Sequence, residues 1–174
     1  MSREAAGQDA LYGDAARAFG GAVERLARGY EADEARRQDL VQEIHVALWR
    51  SFGGYDARCS LRTWVYRVAH NVAATHVLRA RRGARDLVGL DALHEHPDPV
   101  GVDQVVERRD ALKRLLGLVR SLTPLDRQVI LLYLEGEDAA TIAEVTGLSA
   151  VNVATKVHRL KKVLTDRFRG GSHA

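Results

Sequence analysis

The sequence predicts an all-α protein: two small helical domains, a helical bundle and a helix-turn-helix, joined by an acidic linker. Three observations carry that prediction. Apolar residues recur at helical spacing through nearly the whole chain, and no stretch alternates as a strand would. Only three prolines occur in 174 residues, which leaves room for long helices. One stretch, residues 85–104, breaks the periodicity and is dominated by acids, as a linker between folded units would be. The expected units are therefore residues 1–84 and 105–174.

The elements follow in order. Leu11 to about Tyr30 forms a first amphipathic helix, with Phe19, Val23 and Leu26 on one face. A second runs from about Asp33 to Phe52, where Leu40, Ile44, Ala47 and Leu48 make a core-facing stripe. Ser51-Phe-Gly-Gly-Tyr-Asp56 ends it and forms a loop. Ser60 is placed to cap a third helix reaching about Arg82. Beyond the linker, Val105–Ser121 is helical, with Leu112, Leu115, Leu116 and Val119 expected inward. Thr123-Pro124 starts the next helix: a hydroxyl cap, proline at the first position and Asp126 at the third. It ends near Glu135-Gly136, and helices over about Asp138–Thr146 and Ser149–Phe168 complete the chain.

Charge is uneven although the net value is only +3. Residues 58–85 hold seven Arg and no acid, residues 86–110 sum to −5, and residues 150–174 sum to +5. Two basic blocks around an acidic stretch suit two separate surfaces for a polyanion; two solvated helix faces would give the same pattern. A single cysteine, Cys59, excludes an internal disulfide framework and a multi-cysteine zinc site. No apolar run approaches the roughly 20 residues of a bilayer span, and the first residues lack a signal peptide's apolar core. A reducing cytoplasm is the expected compartment, with no membrane contact. His70 and His76 are six apart and share no i,i+4 face, and no carboxylate pair sits in an apolar context. No metal, cofactor or catalytic activity is expected.

The last three elements form a constellation. Ala139-Ala-Thr-Ile-Ala-Glu-Val-Thr146 is a short helix, Gly147-Leu-Ser149 a tight turn, and small Ala143 permits close helix crossing. Ile142, Val145, Leu148, Val153, Val157 and Leu160 would share a small core. That is helix-turn-helix spacing with a basic second helix, whereas a plain helical hairpin would need no basic face. Ser149 caps the second helix, which then exposes Asn152, Thr155, Lys156, Arg159 and Lys162. Residues near its start would face base edges and the later cations phosphate.

Two further stretches are distinctive. Asp39-Leu-Val-Gln-Glu43 is followed by Leu48-Trp49-Arg50, and Leu61-Arg-Thr-Trp-Val-Tyr-Arg-Val-Ala-His-Asn71 by Arg79-Ala-Arg-Arg82. With the helix-turn-helix, in this order and across about residues 15–82 and 108–166, they resemble the extracytoplasmic-function (ECF) sigma factors of bacterial RNA polymerase. The resemblance implies an alternative sigma factor that binds core polymerase and directs promoter recognition and transcription initiation. Its region 2 would meet the β′ clamp through the positions of Asp39, Gln42, Glu43, Leu48 and Trp49. The same region would open the minus-ten element and hold a flipped base, using the loop Phe52–Cys59 and the face with Tyr66 and Asn71. Arg58, Arg62, Arg67, Arg79, Arg81 and Arg82 would hold the strand's phosphates. Phe52 serves that loop or packs inward; Trp64 reads as a core anchor before a stacking platform.

Region 4 would grip the minus-thirty-five element and join the β flap. Here the recognition helix, Val151-Asn-Val-Ala-Thr-Lys-Val-His-Arg159, departs from the common pattern by carrying Ala154 in place of Lys or Arg. The partners implied are core polymerase, promoter DNA and an anti-sigma protein. A stand-alone helix-turn-helix regulator is the alternative, but it leaves Asp39–Glu43 and the basic block of residues 58–85 without a role.

Overall fold

A computed structural model of the chain describes residues 3–86 and 104–170. Seven helices stand among them, in the order α1 (Arg3–Tyr30), α2 (Glu34–Ser51), α3 (Leu61–Asp86), α4 (Gln104–Arg120), α5 (Pro124–Leu134), α6 (Ala139–Thr146) and α7 (Ala150–Gly170). A single 3₁₀ turn, Phe52–Gly54, follows α2, and no strand occurs among the described residues. Most of the expected linker, residues 87–103, lies outside them.

The helix starts are set by side-chain caps. Asp33 accepts from the Arg36 amide at 2.9 Å and starts α2. Ser60 Oγ accepts from the Thr63 amide at 3.1 Å ahead of α3. Thr123 Oγ1 accepts from the Asp126 amide at 3.3 Å, with Pro124 opening α5. Each cap satisfies an amide that the first helical turn leaves without a partner. Gly147 closes α6 at φ 76°, a left-handed conformation costly for other residues.

Two ends differ from the sequence reading. Helix α1 begins at Arg3 rather than Leu11, because its first turns find partners on α2. Gln8 Nε2 donates to the Trp49 carbonyl at 2.6 Å, and the Trp49 indole donates to Asp9 Oδ1 at 2.8 Å. Helix α3 runs through Gly83 to Asp86, past the expected end of its domain, since no proline interrupts it there.

Helices α1, α2 and α3 form the first module. Leu26, Leu40, Ile44, Leu48, Val65 and Ala69 fill its core, and Phe52 is buried with them at 3% exposure, so it packs inward. Helices α4 to α7 form the second around Val119, Val129, Ile130, Leu132, Ile142, Val153 and Leu160. One expected core residue, Leu112, is instead 49% exposed, at the edge of an open groove that it lines with Leu115 of α4 and Leu164 and Phe168 of α7.

The modules pack on each other. Helix α1 lies against α4 and α5, and α3 against α6. At Gly29 the approach to α5 is so close that a Cβ would stand 2.5 Å from Leu131 Cδ2. Beside it, Tyr30 Oη is 2.9 Å from Nδ1 of the fully buried His70. Burial holds that imidazole neutral, with its pKa pushed down to about 3. The Arg127 guanidinium lies 5.2 Å from the Tyr30 ring centroid and donates to the carbonyls of Arg120 and Leu122. A buried charge demands such partners. They also fasten the end of α4 to α5. The junction is not filled: a cavity of about 260 Å³ remains among Leu26, Tyr66, Leu115, Leu116 and Leu131.

Candidate nucleic-acid interface

Three surfaces carry the residues singled out by sequence. The first is the outer face of α2. Asp39, Gln42 and Glu43 are exposed along it, as helical spacing requires. They line one side of an open groove of about 920 Å³ whose other side is Val72 and Arg79 of α3. Glu43 Oε2 lies 3.6 Å from His76 Nδ1 and 3.9 Å from Arg79 Nη1, so the Arg79 guanidinium already pulls on it weakly. Trp49 is 42% exposed and Val46 47%, giving the acidic face an apolar border. Sequence reading missed Val46, which sits outside the α2 core stripe. Leu48 requires correction as a surface residue: it is 1% exposed and belongs to the core, supporting this face from beneath.

The second surface is α3 with the loop before it. Tyr55 Oη donates to the Cys59 carbonyl at 2.8 Å and pins that loop, while Ala57 takes a left-handed φ of 59° that glycine would adopt more readily. Arg58, Asn71, Arg79 and Arg82 are exposed; Arg58 Nε lies 2.8 Å from Asp56. The side chain of Arg81 lies outside the described residues. Arg62 and Arg67 are spoken for by the second module. Arg62 Nη1 donates to Glu137 Oε1 at 3.0 Å, and Arg67 Nη2 to the Glu144 carbonyl oxygen at 2.8 Å. Thr63 Oγ1 donates to Glu144 Oε2 at 3.0 Å between them. Arg25 of α1 adds a two-toothed pair with Glu135, both contacts at 2.8 Å.

Tyr66 also requires correction as a base-stacking residue in this state. It is 4% exposed, enclosed by Phe19, His70 and the second module. Burial, with the nearby Glu137 and Glu135 carboxylates, pushes its phenol up to about 12. Trp64 is half-buried and donates to Ser51 Oγ at 2.9 Å, the arrangement of a core anchor. Sequence reading had no signal for Glu135, Glu137 or Glu144, whose partners lie 110, 75 and 81 residues away.

The third surface is α7. Ser149 Oγ accepts from the Asn152 amide at 3.2 Å and starts the helix. Val151, Asn152, Ala154, Thr155, Arg159 and Lys162 are exposed, and Val153, Leu160 and Leu164 are buried beneath them. Lys156 is only half-exposed. Its Nζ lies 2.6 Å from Asp126 Oδ1 of α5, and Arg159 Nη2 lies 3.1 Å from Asp126 Oδ2. Burial alone would push the Asp126 carboxyl up, but Lys156 and Arg159 outweigh it and hold it below the usual carboxylate range. Sequence reading placed Asp126 only as a helix-start residue.

The described residues thus form an all-helical pair of modules, with an acidic outer face on α2 and basic residues exposed on α3 and α7. The family model described as Sigma-70 region 2 matches residues 15–83, and that described as Sigma-70, region 4 matches residues 112–164. Together they span well over half of the chain, and the chain belongs to the sigma-70 family as an ECF sigma factor. Among curated relatives, RNA polymerase sigma factor CnrH of Cupriavidus metallidurans is 27% identical, over 94% of this chain and 90% of that protein. RNA polymerase sigma factor NccH of Alcaligenes xylosoxydans xylosoxydans is 25% identical, over 94% of this chain and 89% of that one. Two solved structures share the fold. CnrH in complex with the cytosolic domain of CnrY matches with a TM-score of 0.69 at 24% identity, covering 97% of this chain and 94% of that one. RpoE in complex with the anti-sigma factor NepR from Bartonella quintana matches with a TM-score of 0.67 at 17% identity, covering 89% and 94%.

Proposed function

We propose that this sigma factor docks on the polymerase β′ clamp through the α2 face of Asp39, Gln42, Glu43 and Trp49. A carboxylate row with an apolar border suits a basic partner helix. The second module would join the β flap and place α7 in the major groove of the minus-thirty-five element, with Ser149 fixing its start. Asn152, Thr155 and Arg159 then meet base edges, and Lys162 meets phosphate. The first module would hold the opened minus-ten strand on Arg58, Arg62, Arg67, Arg79 and Arg82, with Arg81 as a further candidate on α3, and Asn71 facing an extruded base. The domains would be residues 1–84 and 105–174, with residues 85–104 the acidic link. Polymerase performs the chemistry, and this chain supplies selectivity, in the compartment where polymerase works.

One observation carries most of this reading: the acidic α2 face and the basic α7 face stand exposed on different modules of one chain. A further step follows from the packing. Arg67 is half-buried on the Glu144 carbonyl and Arg62 is engaged by Glu137, so parting of the modules would free both more fully for DNA, and the described state is read as a closed one. An anti-sigma protein that favours the closed form is the expected regulator, in line with the bound partners of the two solved relatives.

In vitro transcription with core polymerase and a genomic promoter library tests the reading. The native chain should confer start-site selectivity. Asp39→Arg with Glu43→Arg should reduce core affinity by about 100-fold or more while circular dichroism stays helical, since each like-charge contact costs several kcal/mol. Unchanged core binding by that variant would remove the clamp assignment. Upstream binding without any core binding would favour a stand-alone regulator.

A further inference from the structure

Asp126 is the third residue of α5, the position from which a carboxylate ordinarily serves its own helix start. Here it reaches across to the recognition helix and holds two of its cations. Lys156 and Arg159 are three residues apart on α7 and therefore share a flank. Oδ1 takes Lys156 Nζ at 2.6 Å; Oδ2 and Oδ1 both take Arg159 Nη2, at 3.1 and 3.3 Å.

The two cations are held differently. The Lys156 side chain is 26% exposed and points its only charged atom at the carboxylate, whereas the Arg159 side chain is 59% exposed. Arg159 uses a single terminal nitrogen on Asp126, so its Nε and Nη1 edges stay available to another acceptor. The carboxylate, at 13% side-chain exposure, is itself too enclosed to reach across a groove. Elsewhere on the helix, Lys161 is held away on the Tyr133 hydroxyl at 3.1 Å, while Lys162 is exposed.

We infer that Asp126 is a positioning residue that sets the sequence selectivity of α7, by fixing Arg159 in one orientation and withdrawing Lys156 from the DNA. The argument rests on the reading of α7 as the upstream-element helix. A guanidinium held from behind presents its remaining donors in a fixed fork, which is what base-edge reading needs. A lysine that swings freely finds any phosphate and adds affinity without selectivity. Asp126 thus trades non-specific grip for discrimination. Ala154 fits the same economy, since it places no cation on the exposed side of α7 next to Thr155.

The test compares native chain, Asp126→Asn and Asp126→Glu, each assembled with core polymerase. The probe is a duplex library with a pre-opened downstream bubble and a randomised upstream window; bound pools are sequenced. A second probe is a fixed non-promoter duplex, titrated across salt concentrations. Asp126→Asn should lower discrimination between selected and scrambled windows by roughly tenfold, the value of one good base contact. Its affinity for the non-promoter duplex should rise a few-fold, with a salt slope steeper by about one phosphate contact. Asp126→Glu should restore most of the discrimination.

Three results would overturn the inference. Discrimination unchanged in Asp126→Asn would show that Arg159 needs no support. Both affinities raised equally would make Asp126 a mere competitor of phosphate. Both lowered together with the melting temperature, and left low by Asp126→Glu, would make it a packing residue. A native holoenzyme that selects no upstream sequence would instead overturn the reading of α7, and this inference with it.

Discussion

The two modules hold the cations proposed to face DNA in different ways. On α3, Arg62 and Arg67 are held by Glu137 and by the Glu144 carbonyl of the other module. On α7, Lys156 and Arg159 are held by Asp126 of their own module. The first arrangement is lost when the modules part; the second survives. On the proposed reading, an inter-module carboxylate would work as a switch and an intra-module one as a fixture, so the same kind of ion pair would give regulation in one place and pre-organisation in the other.

The comparison breaks most readily at Gly29. Gly29→Val puts a branched side chain where a Cβ would stand 2.5 Å from Leu131 Cδ2, so either Leu131 moves toward the adjoining cavity or the helices part. Overpacking of this kind costs up to about 3 kcal/mol. Parting α1 from α5 relieves it, which shifts the closed–open balance by about 100-fold. Small-angle scattering should show a larger radius of gyration, and the free chain should gain affinity for single-stranded DNA. An unchanged radius with a merely lower melting temperature would mean that the junction repacks without opening.

Acid should separate the two arrangements next. His70 has an ordinary pKa of about 6.5 when unfolded and about 3 in place. The folded form thus binds fewer protons across that window. Stability from keeping the ring neutral is complete above about pH 6.5 and is lost as pH falls toward 3. From pH 7 to 5 the loss is about 2 kcal/mol, at a slope approaching 1.4 kcal/mol per pH unit. Urea unfolding should follow that slope, and His70→Gln should flatten it. Across the same range Asp126 keeps its charge, because its carboxyl is held below the usual range. The first module and the junction should therefore weaken while the α5–α7 pair holds. A pH profile unchanged in His70→Gln would assign the acid sensitivity elsewhere.

The smallest effect belongs to Glu137. Its side chain is 4% exposed, but Arg62 is 56% exposed and well solvated, which caps the pair at under about 1 kcal/mol. Glu137→Gln should raise single-stranded DNA binding by the free chain two- to fivefold or so and leave holoenzyme activity unchanged. No change in the free chain would leave the closed state resting on the apolar contacts and the remaining polar ones, Arg25–Glu135, Thr63–Glu144 and Arg67–Glu144.

Much of this was legible in the sequence, and the limits are physical. Caps announce themselves locally: Asp33, Ser60 and Thr123 each bond an amide three residues on. Periodicity identifies the inner face of α2, yet it cannot say whether Leu48 belongs to a partner or to the core, since both want an apolar residue there. Tyr66 lies on a face covered by the second module, and spacing along α3 carries no information about so distant a neighbour; Leu112 shows the converse, an apolar residue on the periodic stripe that is left 49% exposed. Asp126 shows the opposite failure. Its local role was correct and incomplete, because its second partner lies 30 residues ahead.

The half-filled junction has a consequence for the protein's handling in the cell. Leu26, Tyr30, Tyr66 and Leu131 are each at most 7% exposed while the modules touch. Separation would wet all four at once, leaving an oily strip on a molecule with a formal charge of only +3 to keep it dispersed. An opened copy with nothing to cover that strip should therefore self-associate more readily than a closed one.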